Sequence, residues 1–176
     1  METIDRGTRA FSCTQNGYPG GFPQGFLTWV KNKGWWGTKR CYLCSGAVVD
    51  PDSVRVDLEP SCNPTHLEDA RNTSLPPNSF DLVIIDPPSS RELAESLYKK
   101  GAVWNSINIF TKEAARILSP GGLIITLSYE VPKRIPGCSF IAVWGVYQIP
   151  TVSYMRCFTV SRKEDPSNAK DNQPTL

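Results

Sequence analysis

One apolar stretch, Ser79 to Ser90 with the sequence SFDLVIIDPPSS, most constrains how this chain can fold. Its centre, Leu82 to Ile85, is apolar throughout and rich in β-branched residues, which predicts a central parallel strand buried on both faces. Pro87 and Pro88 cannot donate to a strand ladder, so the strand ends at Asp86. Open α/β sheets place ligand chemistry at such carboxyl ends. An ordinary strand end closed by a proline turn is the alternative interpretation.

The length and composition predict one globular domain with a sizeable core. The 176 residues are 40% hydrophobic, and the formal net charge of +2 neither indicates nor excludes a nucleic-acid partner. The N-terminus lacks the basic start and apolar run of a signal peptide, and no apolar run reaches membrane-spanning length. We therefore expect a soluble, cytoplasmic protein with reduced cysteines and no membrane partner.

The remaining segments predict an α/β domain. Strands are predicted at CYLCSG, VRVDLEP and LIITLSY, an edge contact at 68–70, an antiparallel pair at SFIAVWGVYQI and VSYMRCFTVSR, and helices at about 25–33, 91–100 and 105–118. The gap between the first two strands is too short for a full crossover helix. Residues 1–10 are polar and expected to fray, and the polar end of the chain from residue 163 is expected to be disordered.

The N-terminal part of the chain is rich in aromatic residues. The segment Phe11 to Phe26 combines four glycines and two prolines with aromatic rings, which predicts a loop that packs on the domain or covers a ligand. Trp35 and Trp36 follow, within ten residues of four cations: Lys31, Lys33, Lys39 and Arg40. Interleaved rings and cations are typical of a nucleic-acid path. Core tryptophans beside a solvated basic edge are the alternative.

The spacing of Cys41 and Cys44 invites a zinc site, but the sequence argues against one. There is no second pair at a suitable spacing, His66 is the only histidine, and residues three apart on a strand point to opposite faces. We therefore expect no metal, with Cys44 as a small buried residue beside a ligand.

Taken in order, several short motifs resemble those of the class I S-adenosylmethionine-dependent methyltransferases. They are the turn Cys44-Ser45-Gly46 after the first core strand, Asp57 at the end of the second, the Asp69-Ala70 dipeptide before LPPNSFD, and the helix that closes on ARILSPGG. The resemblance covers roughly residues 40–161 and implies a Rossmann-like α/β fold. Its sheet would be mostly parallel with an antiparallel C-terminal hairpin. This chain departs from the family in two places: the glycine-rich turn is reduced to Cys44-Ser45-Gly46, and the first crossover helix is shortened or missing.

The resemblance also divides the chain and implies a cofactor site for S-adenosylmethionine. It implies a methyltransferase core at 40–162, preceded by an extension at 1–39 that packs on the core and followed by a disordered tail at 163–176. The turn would let the backbone approach the cofactor, Asp57 would accept from the ribose hydroxyls, and Asp69 and Ala70 would read the adenine. The cofactor-binding residues would be Cys44, Ser45, Gly46, Asp57, Leu58, Asp69 and Ala70.

Asp86-Pro87-Pro88 further resembles the D/N/S-P-P-aromatic motif of amino-methyltransferases that act on nucleic-acid bases, and the short chain is similar to phage-type enzymes. The motif implies that Asp86, Pro87 and Pro88 are catalytic, because the Asp86 carboxylate and the Pro87 carbonyl would orient an exocyclic amine. Ser89 stands at the aromatic position. Tyr18, Trp35 and Trp36 are other candidate substrate contacts, and Asn16 to Tyr18 is a candidate wall of the cofactor pocket.

The resemblance implies methyl transfer to an exocyclic amine of adenine or cytosine, with DNA as the expected partner. Two alternatives remain open. One is a methyltransferase of the same fold that acts on a small molecule or a protein. The other is a catalytically degenerate scaffold that binds the cofactor and works through a partner.

Overall fold

The computed structural model describes residues 3–12, 22–88, 106–149, 155–165 and 167. In chain order the elements of these residues are β1 (Asp5–Ser12), α1 (Phe26–Asn32), β2 (Arg40–Leu43), β3 (Ser53–Asp57), a 3₁₀ helix (Pro60–Cys62), β4 (His66–Leu67), β5 (Phe80–Ile85), α2 (Ile107–Ile117), β6 (Leu118–Ser128), β7 (Cys138–Ile149) and β8 (Arg156–Lys163).

The strands form one mixed sheet in the order β1-β7-β8-β6-β5-β2-β3-β4. Neighbouring strands are parallel except at β8, which is antiparallel to β6 and to β7. The chain runs outward from β2 through β3 to β4 and then returns to the other side of β2 as β5. The strand order therefore reverses between β2 and β5, and open α/β sheets bind ligands beside the carboxyl ends at such a point.

The predicted central strand is confirmed as β5. Its residues Leu82 to Ile85 are fully buried and alternate between the two hydrophobic cores on either side of the sheet. Because successive strand residues point to opposite faces, an all-apolar run is what a strand covered on both sides requires. Asp86 follows directly at the carboxyl end.

Helix α2 covers one face of the sheet. Ser106 caps it by accepting a hydrogen bond from the Asn108 amide, and its buried residues Ile107, Phe110, Ala114 and Ile117 recur at the three- and four-residue spacing of one helix face. They pack against Val83, Ile85 and Ile124.

Helix α1 covers the opposite face with an aromatic cluster. Phe26 and Val30 are fully buried, and Trp29 meets the rings of Trp144 and Phe158 at centroid distances of 5.3 and 5.1 Å. Edge-to-face contacts of this kind add to the stabilisation that burial of the rings provides.

The crossover between β2 and β3 has no helix. Residues 44–52 make the whole connection, and both the shortened crossover and the antiparallel pair of β7 and β8 are as predicted. The predicted helix at 91–100 lies outside the described residues.

The prediction of a frayed N-terminus is wrong, because residues 5–12 form β1. This strand pairs in parallel with β7 over its full length, and Lys33 donates to the Asp5 carboxylate at 2.9 Å. Two boundaries also differ: β4 lies at His66–Leu67 rather than 68–70, and residues 119–122 continue into β6 instead of only ending the helix.

Some features are absent from the described ranges. None of their helices is long and apolar enough to cross a membrane. No group of three or more histidine, cysteine or acidic side chains within these ranges could hold a metal ion, and the cysteines at 41, 44, 138 and 157 are free thiols.

Candidate functional site

Acidic side chains converge at the carboxyl edge of the sheet, beside the point where the strand order reverses. The Cys44 thiol lies among them: burial raises its pKa well above the ordinary value, and the charges of Asp57, Asp86 and Asp69 raise it further. Arg71 acts in the opposite direction. The structure therefore brings together four of the site residues predicted from the sequence: Cys44, Asp57, Asp69 and Asp86.

The turn after β2 is held by the carboxylate that ends β3. The Gly46 amide donates to Asp57 Oδ2 at 2.7 Å, and the Glu59 amide donates to Asp57 Oδ1 at 3.0 Å. Cys44 and Gly46 are left-handed, with φ values of 58° and 50°, which is unusual for the cysteine. Burial raises the pKa of Asp57, although these backbone donors lower it. Asp57 thus positions the turn, a role the sequence analysis did not assign.

The loop after β4 presents an ion pair to the same edge. Arg71 Nε lies 2.9 Å from both oxygens of Asp69, whose side chain is 35% exposed, and this hydrogen bonding lowers the Asp69 pKa. Ala70 is buried, while Leu58, near Asp57, is 45% exposed. Arg71 was not predicted as a site residue.

The same loop is anchored on α2. Glu113 accepts from the Thr73 amide at 2.9 Å and from the Thr73 hydroxyl at 2.6 Å, and Arg116 donates to the Leu75 carbonyl at 2.8 Å. Burial opposes ionisation of Glu113, but the hydrogen bonds from Arg116 and Thr73 leave its pKa lowered. The loop that carries Asp69 is therefore fixed to the core.

Asp86 forms a buried ion pair with Arg156, at the start of β8. Arg156 Nη2 contacts Asp86 Oδ1 and also donates to the Leu127 carbonyl at 2.8 Å. Burial raises the Asp86 pKa to about 6, against the lowering influence of the guanidinium. Pro87 and Pro88 are half-buried.

Sequence reasoning missed Arg156, although a signal was present. Arg156 shares its strand face with Phe158 and Val160, which belong to the buried core. A charged residue in register with core positions needs a buried partner.

Polar atoms without a hydrogen-bond partner are concentrated at this edge. Five buried side-chain atoms in the described part of the chain lack a partner, and three lie here: Ser45 Oγ, Asp86 Oδ2 and Arg156 Nε. The other two are Arg55 Nε and Trp144 Nε1. Because buried polar atoms are normally paired, three unpaired atoms at one sheet edge indicate a place for a ligand.

A cavity of about 320 Å³ lies beside residues 47–49, which follow the turn after β2. It is bounded by the start of α1, and its lining residues are Phe22, Pro23, Gly25, Leu27, Thr28, Ala47, Val48 and Val49. Its size is within the range of small-molecule sites.

The two tryptophans predicted as substrate contacts belong to the aromatic core. Trp35 and Trp36 precede β2, and they lie on the face of the sheet that α1 covers. Trp35 is 9% exposed and packs against Trp29 and Phe158, while the Arg40 guanidinium lies over the Trp36 ring. This placement favours the packing role. Tyr18, the proposed wall at Asn16 to Tyr18, and Ser89 are outside the described residues.

The sequence matches no protein-family model and no curated protein. Solved structures are similar to it in fold. TrmN from Thermus thermophilus is 16% identical with a TM-score of 0.52, over 78% of this chain and 47% of that one. A protein from a study of the conversion of a disulfide bond into a thioacetal group during echinomycin biosynthesis is 15% identical with a TM-score of 0.50, over 84% and 85% of the two chains.

A proposed methyltransferase of Escherichia coli, yhhF, is 12% identical with a TM-score of 0.50, over 81% of this chain and 85% of that one. At such identities the likeness shows the fold alone. Together with the strand order, it shows that this chain has a Rossmann-like α/β fold, with a mostly parallel sheet, an antiparallel hairpin and few helices in its described part.

Proposed function

We propose that this chain is an S-adenosylmethionine-dependent methyltransferase that methylates the exocyclic amine of a nucleic-acid base, adenine or cytosine, in DNA. The observation that carries the proposal is Asp86 Oδ2, a buried oxygen without a partner, at the carboxyl end of the central strand. An ionised carboxylate only accepts hydrogen bonds, so this oxygen calls for a donor such as an amine.

The residues at the carboxyl edge of the sheet have polar groups that suit S-adenosylmethionine, the methyl donor. The unpaired Ser45 hydroxyl and the turn at Gly46 follow β2, the Asp57 carboxylate ends β3, and the Asp69 carboxylate lies in the loop after β4. Carboxylates suit both the ribose hydroxyls and the positive charge of the donor. When bound, the donor supplies an electrophilic methyl group on its sulfonium sulfur.

The role of Asp86 in this proposal is to orient the amine. Oδ2 and the Pro87 carbonyl accept its two protons, which directs the nitrogen lone pair away from both oxygens and toward the methyl group. Holding reactants in line removes much of the entropic barrier to reaction.

The direct test is label transfer. Purified protein is incubated with methyl-labelled donor and with single-stranded DNA, duplex DNA, RNA, protein extract or a small-molecule extract. We expect label in DNA at adenine or cytosine, with retention on DNA that falls steeply as salt rises. Donor binding without label in any acceptor would identify a cofactor-binding scaffold instead.

A second candidate is a methyltransferase of a small-molecule amine. The burial of Trp35 favours it, because a ring that packs against Phe158 in the core is not available to stack on a base. Label only in the small-molecule extract, independent of salt, would establish it.

We infer that the Tyr129 ring stacks on the target base. It follows β6, it is 41% exposed, and the Arg156 guanidinium lies 5.9 Å from its ring centroid. Because stacking on a base is worth about 1–3 kcal/mol, Tyr129→Ala should raise KM for DNA by roughly 5- to 150-fold. Tyr147 on β7 is 40% exposed, and Tyr147→Ala is the matched control. An equal KM in the two variants would remove Tyr129 from the site.

Methyl transfer should depend on the ionisation of Asp86. Its pKa of about 6 reflects burial first and the opposing Arg156 charge second, with the Cys44 thiol also close by. Since the ionised Asp86 carboxylate accepts the hydrogen bond from the amine, kcat should fall by about tenfold for each pH unit below the Asp86 pKa. A pH profile of kcat at saturating donor checks this, and a flat profile from pH 5 to 7 would contradict the assigned role.

A further inference from the structure

Two of the unpaired atoms belong to one ion pair and have opposite hydrogen-bonding character. Asp86 and Arg156 meet through Oδ1 and Nη2, which leaves Asp86 Oδ2 and Arg156 Nε buried without partners. A guanidinium only donates and an ionised carboxylate only accepts. The pair therefore offers one buried donor beside one buried acceptor, each of which needs a complementary group.

The unpaired hydrogen-bond donor, Arg156 Nε, is held in a fixed position. Arg156 Nη2 is engaged by Asp86 and by the Leu127 carbonyl at 2.8 Å, and Arg156 itself is only 8% exposed. The remaining Nε–H cannot swing toward bulk solvent without breaking both contacts. Arg156 Nε–H is therefore a preorganised hydrogen-bond donor beside Asp86, the carboxylate that orients the amine in the proposed function.

We propose that Arg156 Nε donates to the ring nitrogen next to the target amine, which makes the substrate a heteroaromatic amine with an amidine-like edge. This inference rests on the proposed function and restricts the chemical class of the substrate. Arg156 is then a specificity-determining residue: Asp86 accepts a hydrogen bond from the amine, and Arg156 Nε donates one to the lone pair of the adjacent ring nitrogen.

The Watson–Crick edges of adenine and cytosine fit this pair. In both bases the exocyclic amine is bonded to a carbon that also carries an unprotonated ring nitrogen, N1 in adenine and N3 in cytosine. Enzymes that act on a base extracted from its stack read this edge by hydrogen bonds. An aliphatic amine, such as a protein lysine, has no adjacent acceptor and would leave Nε buried and unpaired.

The test replaces the ring nitrogen alone. A DNA oligonucleotide that takes up label is compared with the same oligonucleotide carrying 1-deazaadenine for adenine, or 3-deazacytosine for cytosine, which keeps the amine and has C–H for the nitrogen. A lost hydrogen bond to a charged group should lower kcat/KM of the natural protein by roughly 10- to 100-fold.

Arg156→Met should abolish that discrimination, so that the two oligonucleotides differ by less than about threefold. Comparing the ratio of the two kcat/KM values between the natural protein and the variant removes the intrinsic difference in reactivity between the two bases. Arg162→Met, at an exposed position of the same strand, is the matched control and should keep the discrimination. If Arg156→Met does not fold, Arg156→Lys takes its place, because lysine keeps a positive charge beside Asp86 but has no Nε–H.

The outcomes separate the two proposals. Equal kcat/KM on both oligonucleotides overturns the role of Arg156, while the proposed function stands. A water molecule that bridges Asp86 Oδ2 and Arg156 Nε would then be the explanation for their lack of protein partners. Loss of discrimination in Arg162→Met as well would also overturn it. Absence of label in every oligonucleotide overturns the proposed function, and the inference with it.

Discussion

Asp86→Ala is expected to lower methyl transfer by at least about 100-fold while the affinity for S-adenosylmethionine changes by less than about threefold. The reason is that Asp86 follows β5 and orients the acceptor in the proposed site, whereas the turn after β2, Asp57 and Asp69 are the groups proposed to hold the methyl donor. Initial rates with labelled donor and calorimetric titration of the donor measure the two quantities.

The control for this variant is Asp52→Ala, an exposed aspartate between β2 and β3 that should leave both quantities unchanged. Because Asp86→Ala leaves Arg156 buried without its partner, the double variant Asp86→Ala/Arg156→Met provides a second test without the unpaired charge. Transfer near the natural rate in either folded variant would show that this carboxylate does not orient the amine.

Arg156→Met should lower the free energy of unfolding by about 3–5 kcal/mol at pH 8. The side chains of this ion pair are only 10% and 4% exposed, so removal of the arginine leaves a carboxylate buried without a counter-charge. The loss should be smaller at pH 5, because Asp86 can then become neutral by binding a proton.

The sign of the pH effect follows from the Asp86 pKa. It is about 6 in the folded protein, against about 3.9 in an unfolded chain. The folded state therefore binds more protons between these values, and this group lowers stability as pH rises through them. Asp86→Asn should remove that slope.

Urea unfolding at pH 5 and pH 8 measures these stabilities. The double variant Asp86→Asn/Arg156→Met should be more stable at pH 8 than Arg156→Met, because its buried pair is neutral. Arg162→Met, the exposed control, should change stability by less than about 0.5 kcal/mol. An equal loss at both pH values, without recovery in the double variant, would show that the two side chains do not form this ion pair.

Those parts of the fold whose signal is local could be predicted from the sequence. The all-apolar run ending at Asp86 identified β5, apolar residues at helical spacing identified α2, and the short gap before Val54 indicated the missing crossover helix. In each case the periodicity or the number of residues restricts the backbone directly. The same helical spacing also predicts that Ile109 and Leu118 lie on the buried side of α2, which is wrong: Ile109 is 40% exposed and Leu118 begins β6.

The features that were missed depend on partners far away in the chain. β1 has little apolar alternation, since residues 6–10 are exposed, and it is a strand because it hydrogen-bonds to β7. Trp35 lies in a sequence suited to nucleic acid, but a pocket formed by Trp29 and Phe158 buries it. Arg156 becomes a site residue only when β8 inserts between β6 and β7.

The central claim is that a sulfonium methyl donor binds across the carboxyl ends of β2 and β5. A crystal structure with S-adenosylhomocysteine, the demethylated product, tests it most directly. We expect the ligand against Ser45 and Gly46, with Asp57 and Asp69 on its nucleoside side and its sulfur facing Asp86. An empty edge at saturating ligand, or the ligand bound elsewhere on the chain, would contradict this assignment.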